Sequence, residues 1–218
     1  TKLFNTIYGE GGEKAVSDDE LRAYFEETYY DFDYIFSSLA YKTSGELTGD
    51  EEDTTMTEEE TAARRELFEG YAEKINAGEM TMEEAAEDFK TVISSEDEQL
   101  SNQLVDGEYI NSSFPSEIKT NLDEMQNGEV RCFEVTGLSK GIVVVRKNNV
   151  ADSADDYIGQ EGNRQTLLSS MKSEEYLDMV KAGIESYEGV TFNDAAIATY
   201  HASEFYTFTP PASSSAAE

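Results

Sequence analysis

The sequence has no tryptophan, one cysteine (Cys132) and one histidine (His201) in 218 residues. A lone cysteine excludes an intrachain disulfide and any multi-cysteine metal site, and a lone histidine excludes a catalytic or metal-binding histidine cluster. Carboxylates are plentiful enough to be paired as the acid and base of a glycoside hydrolase, but the chain has no indole on which a sugar could stack. Basic residues are scarce too: 16 Lys and Arg stand against 47 Asp and Glu, for a formal net charge of −31. Nucleic-acid binding and polybasic contact with anionic lipid both need the opposite sign, so neither is the task of the chain as a whole. No stretch approaches the ~18 consecutive apolar residues of a membrane-spanning helix. Thr1 is not followed by the charged and apolar regions of a targeting signal, as would also hold for a trimmed exported chain.

What is present suffices for a core. Hydrophobic residues make up 38%, and 13 Tyr and 11 Phe recur along the whole chain rather than in one block, which argues for a folded, strongly self-repelling protein. The length permits one large domain or two small ones.

Three segments read as capped helices. Val16-Ser17-Asp18-Asp19-Glu20-Leu21, Thr57-Glu58-Glu59-Glu60 and Thr81-Met82-Glu83-Glu84 each place a hydroxyl three residues before a glutamate, the reciprocal pairing that satisfies two free amides at a helix start. Leu67, Phe68, Tyr71, Ala72 and Ile75 form one apolar stripe stopping at Gly78, and Met82, Ala85, Ala86 and Phe89 form another. Phe32–Tyr41 reads as a buried strand, and a short strand is expected around Leu104-Val105. Phe114, Ile118, Leu122 and Met125 fall at helical spacing, with Pro115 in the first turn. Val130–Val135 and Ile142–Val145 read as a hairpin. Beyond Asn149 two amphipathic helical runs follow, then a short extended piece at Val190-Thr191-Phe192. The order predicts an α+β fold with a mostly antiparallel sheet.

Several motifs lead to no chemistry. Residues 46–60 hold eight acids and no base, yet Asp50 to Thr55 lacks the alternating oxygen ligands around a glycine that a calcium loop requires, so a solvated acidic loop is expected. Gly9, Gly11 and Gly12 follow no strand and precede no Lys-Ser/Thr pair, so phosphate binding is unsupported. Cys132 has no histidine to activate it, and His201 lies beside the polar tail.

From about Tyr29 to Lys147, order and spacing resemble a parvulin-type peptidyl-prolyl isomerase domain, as found in exported foldases of the PrsA and SurA kind. Tyr34-Ile35-Phe36 stands where that family's first strand reads His-Ile-Leu. Leu67 to Phe89, with Ile75-Asn76-Ala77-Gly78-Glu79 and Ala85-Ala86, resembles its helix, small-residue turn and second helix. Phe114-Pro115-Ser116-Glu117-Ile118 through Asn127-Gly128-Glu129-Val130 resembles its pocket helix and following turn, and Gly141 to Lys147 its closing strand. The resemblance implies a parvulin-like small antiparallel sheet with surrounding helices, flanked by N- and C-terminal helical chaperone segments. It divides the chain into residues 1–29, the end of a helical chaperone region; 30–149, the parvulin-like domain; 150–206, a returning helical segment; and 207–218, a disordered tail.

Active parvulins present two histidines beside a proline-gripping pocket. Here Tyr34 takes the first position, and Gly141 or Ile142 falls at the second. The resemblance therefore implies a site of Tyr34 and Asp97 as the polar pair, with Phe114 and Ile118 gripping an apolar side chain. It implies no cofactor and no metal. The implied clients are unfolded or proline-containing polypeptides, with no nucleic acid and with membrane contact only through a lipid anchor upstream. The implied location is extracytoplasmic. Two alternatives stand beside an isomerase: a holdase that keeps the shape without the activity, and a secreted surface scaffold.

Overall fold

The computed structural model describes residues 2–47, 53–137, 140–187, and positions 189, 193, 195 and 199. The acidic stretch at 48–52, the expected extended piece at 190–192, His201 and the tail lie outside the described residues. The chain divides into two compact units, 1–172 and 173–218.

The first unit is α+β. Among the described residues, helices α1 (Lys2–Tyr8) and α2 (Asp18–Thr28) lead into strand β1 (Tyr29–Ser38). Helices α3 (Glu58–Asn76) and α4 (Met82–Val92) precede β2 (Leu100–Asp106), then come α5 (Gly107–Ser113) and α6 (Ser116–Glu124). Strands β3 (Val130–Val135) and β4 (Gly141–Lys147) close the sheet, followed by α7 (Val150–Ile158) and the start of α8 (Glu161–Glu185). All strand pairings are antiparallel, in the order β2-β1-β4-β3.

All three expected capping boxes form, with Ser17, Thr57 and Thr81 accepting from the amides of Glu20, Glu60 and Glu84 while those glutamates bond back. The amide and hydroxyl bonds to Ser17 and Thr57 hold the Glu20 and Glu60 carboxyls below the usual carboxylate range. Thr81→Ala should cost about 1 kcal/mol, read as a lower urea midpoint at unchanged slope; no shift would mean that the α4 cap is not stabilising.

Four expectations are corrected. The first strand begins at Tyr29 rather than Phe32 and ends at Ser38, because Tyr29 to Phe32 pair with Asp106 to Gln103 across the sheet. The second strand is longer than expected, and α5 intervenes before the pocket helix, capped by the Asp106 carboxylate accepting from the Tyr109 amide. Phe114 therefore ends α5 instead of opening α6, and Pro115 caps α6. Downstream, α7 takes up residues 150–158, and the two expected runs merge into the single helix α8.

Alternation along β1 gives the sheet two buried faces. Ile35 joins Phe68, Tyr71, Met82, Ala85, Phe89, Ile142 and Val144 in a core beneath α3 and α4. Phe32 joins Ile110, Ile118, Leu122, Val143 and Val145 in a second core beneath α5 and α6. Helix α2 packs on α7, with the Phe25 ring against Tyr29 and Tyr157.

Among the described residues, three polar side chains are deeply buried: Asp33, Ser37 and Arg64. Arg64 donates to Ser37 Oγ and Glu46 and lies over the Phe89 ring. The Asp33 carboxylate accepts from Arg146 Nε at 3.0 Å, from Asn148 Nδ2 at 3.2 Å and from Asn102. Asn148 also donates to Asp31, which accepts from Ser153 on α7 at 2.6 Å. One network thus ties β2, β1 and β4 to the helix that follows them.

The second unit contains the later part of α8, where Leu177 and Ile184 are exposed, and Tyr187, exposed just beyond the helix.

Candidate functional site

The face of β1 that carries Tyr30, Phe32, Tyr34 and Phe36 is graded in exposure. Phe32 is fully buried, Tyr34 is partly covered, and Phe36 is 41% exposed. Helices α5 and α6 account for the gradient, since their apolar side chains cluster around Phe32. Val143 on β4 lies opposite Phe36, and Phe133 on β3 lies opposite Val143, so both share its face. In the next row, Ser101 and Val145 flank Tyr34.

The junction of α5 and α6 supplies the wall. The Phe114 ring meets Tyr34 edge-on at 6.0 Å between centroids and Phe32 at 5.6 Å, and Tyr109 stands 6.3 Å from Phe114. Tyr109 is 50% exposed, while Ile118 beneath is 3% exposed. Edge-to-face packing fixes ring angles, so Tyr34, Phe114 and Tyr109 form one ring wall over an apolar floor, and Phe36 follows on the same sheet face two residues along β1. A Cβ at Gly141 would sit 2.3 Å from Phe36 Cε2. Lacking a side chain there, β4 lets the Phe36 ring lie across it.

Of the four expected site residues, the structure brings together Tyr34, Phe114 and Ile118 in one cluster. Asp97 is exposed in the turn before β2; its amide donates to Ser95 Oγ and its carbonyl accepts from Gln99, and its carboxylate shares no bond with Tyr34. Ser101 is the β2 residue opposite Tyr34. Of the two β4 candidates for the second histidine position, Ile142 belongs to the opposite core and only Gly141 shares the Tyr34 face. Sequence reasoning missed Phe36 and Tyr109, the most exposed members. Phe36 was legible from its two-residue spacing to Tyr34; Tyr109 was not, because α5 was not expected.

Electrostatically the site is edged by one carboxylate held open to ionisation. Glu117 accepts from the Thr136 hydroxyl and, at 2.9 Å, from its amide. Those bonds, the hydroxyl's first, pull its carboxyl down to about 2. The folded value lies below the unfolded one of about 4.3. Its stabilisation is therefore present above the unfolded value and lost as pH falls toward 2. Glu117→Gln should lower the urea midpoint at pH 7, with the gap to the parent narrowing from about pH 5 downward; a gap independent of pH would assign the loss to packing.

Cys132 faces the other core, and burial pushes its thiol up to about 12, which leaves it a poor nucleophile at neutral pH. Among the described residues, no group of three or more His, Cys, Asp or Glu side chains is arranged to hold a metal ion, and no helix is long and apolar enough to cross a membrane. A cleft of about 740 Å³ lies between the α1–α2 connection and the start of α8. The cation lining it, Arg164, is bonded to Asp18 at 2.6 Å, so this cleft is a paired polar gap between helices.

No family model, curated protein or solved structure matches the chain. What fold and site define is a class: a small four-stranded antiparallel α+β unit with one sheet face closed by two helices and the other ending in a partly open aromatic surface.

Proposed function

We propose that the chain is an extracytoplasmic folding factor of parvulin-like shape, flanked by helical chaperone segments, that captures unfolded or proline-containing polypeptide segments on the surface of Tyr34, Phe36, Tyr109 and Phe114. The observation that carries the reading is the exposure of Phe36, on the same sheet face as Tyr34, and of Tyr109, whose ring stands against Phe114. Large apolar side chains on an open face mark binding sites in soluble proteins. Aromatic rings also suit clients of no fixed sequence, because they offer contact area at little entropic cost. A small antiparallel sheet with helices on both faces is the architecture that the parvulin resemblance implies. The extracytoplasmic assignment rests on that resemblance alone, and fractionation of the producing cells tests it.

Prolyl isomerisation needs no bond to be made or broken, since its barrier of ~18–20 kcal/mol is amide resonance. A surface that binds the twisted amide better than the planar one lowers that barrier by differential binding. At this site the available groups are the Tyr34 and Ser101 hydroxyls and the ring wall; the positions of the family's histidines carry no imidazole. That absence favours the second reading, a holdase that binds without catalysis.

Two assays separate the readings. The full chain should suppress aggregation of an unrelated denatured protein, and Phe36→Ala with Tyr109→Ala should remove most of that suppression while lowering the urea midpoint by less than a fully buried ring would, because both side chains are about half exposed. An inactive parent would overturn the client-binding reading in favour of a scaffold. Acceleration of proline-peptide isomerisation over the uncatalysed tens to hundreds of seconds, lost in the same variant, would make the chain an isomerase; none would make it a holdase.

A further inference from the structure

Resting on the client-binding reading above, we propose that the aromatic surface selects cationic segments, in which lysine or arginine flanks a proline or aromatic residue, over acidic or phosphorylated ones.

The selection comes from how charge is distributed around the rings. Every cation of the strands and helices that build this face is already engaged. Arg131 of β3 bonds Glu129 at 2.6 Å and Glu124 at 3.2 Å. Lys147 of β4 donates to the Leu122 and Met125 carbonyls at the end of α6. Lys119 of α6 bonds Asp123 at 2.7 Å and lies over the Tyr30 ring. Lys140, next to Gly141, pairs with Glu134 at 3.5 Å.

The acids are not balanced in the same way. Glu108 precedes Tyr109 on α5, is exposed, and has no cationic partner among the described residues. Glu96, Asp97 and Glu98 enter β2 just ahead of Ser101, and they are exposed and without a cation as well. Glu117, beside Ile118, is bonded to uncharged Thr136 rather than to a base. A bound segment therefore meets rings carried by elements whose nearby carboxylates are not neutralised. Lysine and arginine stems can lie along the rings with their charged ends at those carboxylates, whereas a phosphate or glutamate would meet like charge with no free cation in reach. Complementarity of this kind governs which partner is accepted and how fast it arrives more than how tightly it is finally held.

The test is fluorescence anisotropy of the full chain with short dye-labelled peptides that share one Phe-Pro centre and are flanked by lysine, glutamine or glutamate. The lysine-flanked peptide should bind about tenfold tighter than the glutamate-flanked one, the scale of a few exposed charge pairs acting together. The gap should close between ~20 and ~500 mM NaCl as the screening length contracts below roughly 5 Å. Glu96→Gln, Asp97→Asn, Glu98→Gln and Glu108→Gln combined should remove most of the preference while leaving the glutamine-flanked affinity unchanged. A preference that survives the fourfold change would assign selectivity to the net charge of the molecule and overturn the rim. Equal binding of all three peptides, lost in Phe36→Ala with Tyr109→Ala, would overturn charge selection yet leave the aromatic site standing. Binding of none would overturn both.

Discussion

Asp33→Ala should lower folding stability by about 3 kcal/mol, the low end of the range for removing one partner of a buried ion pair. The carboxylate is 3% exposed and accepts from three donors on three different segments: Asn102 on β2, Arg146 on β4 and Asn148 after it. Its loss leaves the Asn102 amide without this acceptor and the Arg146 guanidinium without its carboxylate, while Asn148 keeps its bond to Asp31. The cost stays at the low end because the Arg146 side chain is 33% exposed and can turn toward water. Asp33→Asn, which keeps an acceptor oxygen in place, should lose less. Urea unfolding of both variants against the surface control Glu83→Ala checks this. Asp33→Ala indistinguishable from the control would mean that the network is decoration on a sheet held by its apolar faces.

Gly141→Ala should uncouple client binding from stability. The added Cβ would overlap Phe36 Cε2 at 2.3 Å and Cζ at 2.8 Å, and it would press on the Ser37 carbonyl at 3.1 Å. The first two contacts are with the far end of a half-exposed ring, which can swing outward at little cost. The third requires only a few tenths of an ångström of adjustment. Phe36 would then leave its place across β4 on the sheet face it shares with Tyr34. Affinity for an unfolded client should fall by about tenfold, since ring contacts dominate such surfaces, while the urea midpoint moves by less than that of Asp33→Ala. Unchanged affinity would show that Phe36 has no part in binding; a large loss of stability would show that the strand, not the ring, yields.

How far the sequence announced this molecule depends on the range over which each signal acts. The capping boxes at Ser17, Thr57 and Thr81 and the hairpin from Val130 are written within a few residues, and the structure has all of them. The start of β1 was hidden because Tyr29, Tyr30 and Asp31 take their extended form from pairing with Leu104 to Asp106, more than seventy residues later. Helix α5 was hidden for a different reason. Its seven residues begin with glycine and carry asparagine and two serines, all turn-forming types, and only the Asp106 cap and the packing of Ile110 make it a helix. The site inherits both effects. Tyr34, Phe114 and Ile118 could be brought together because each sits in a strongly patterned element. The partner of Tyr34 on β2 could not, because a register is set by the whole strand, and it places Ser101 there rather than Asp97.

The two inner strands, β1 and β4, are joined along their length although their residues lie roughly a hundred positions apart. Pairing over such a separation must close a very long loop before any contact repays it, which makes folding slow. Both apolar faces of the sheet depend on this one event. During synthesis, β1 and the rings it carries wait without their central partner until the chain has been extended past Lys147. A proposed guardian of unfinished chains thus spends much of its own biogenesis as one, and the excess of acids over bases along its sequence sets the waiting copies to repel one another.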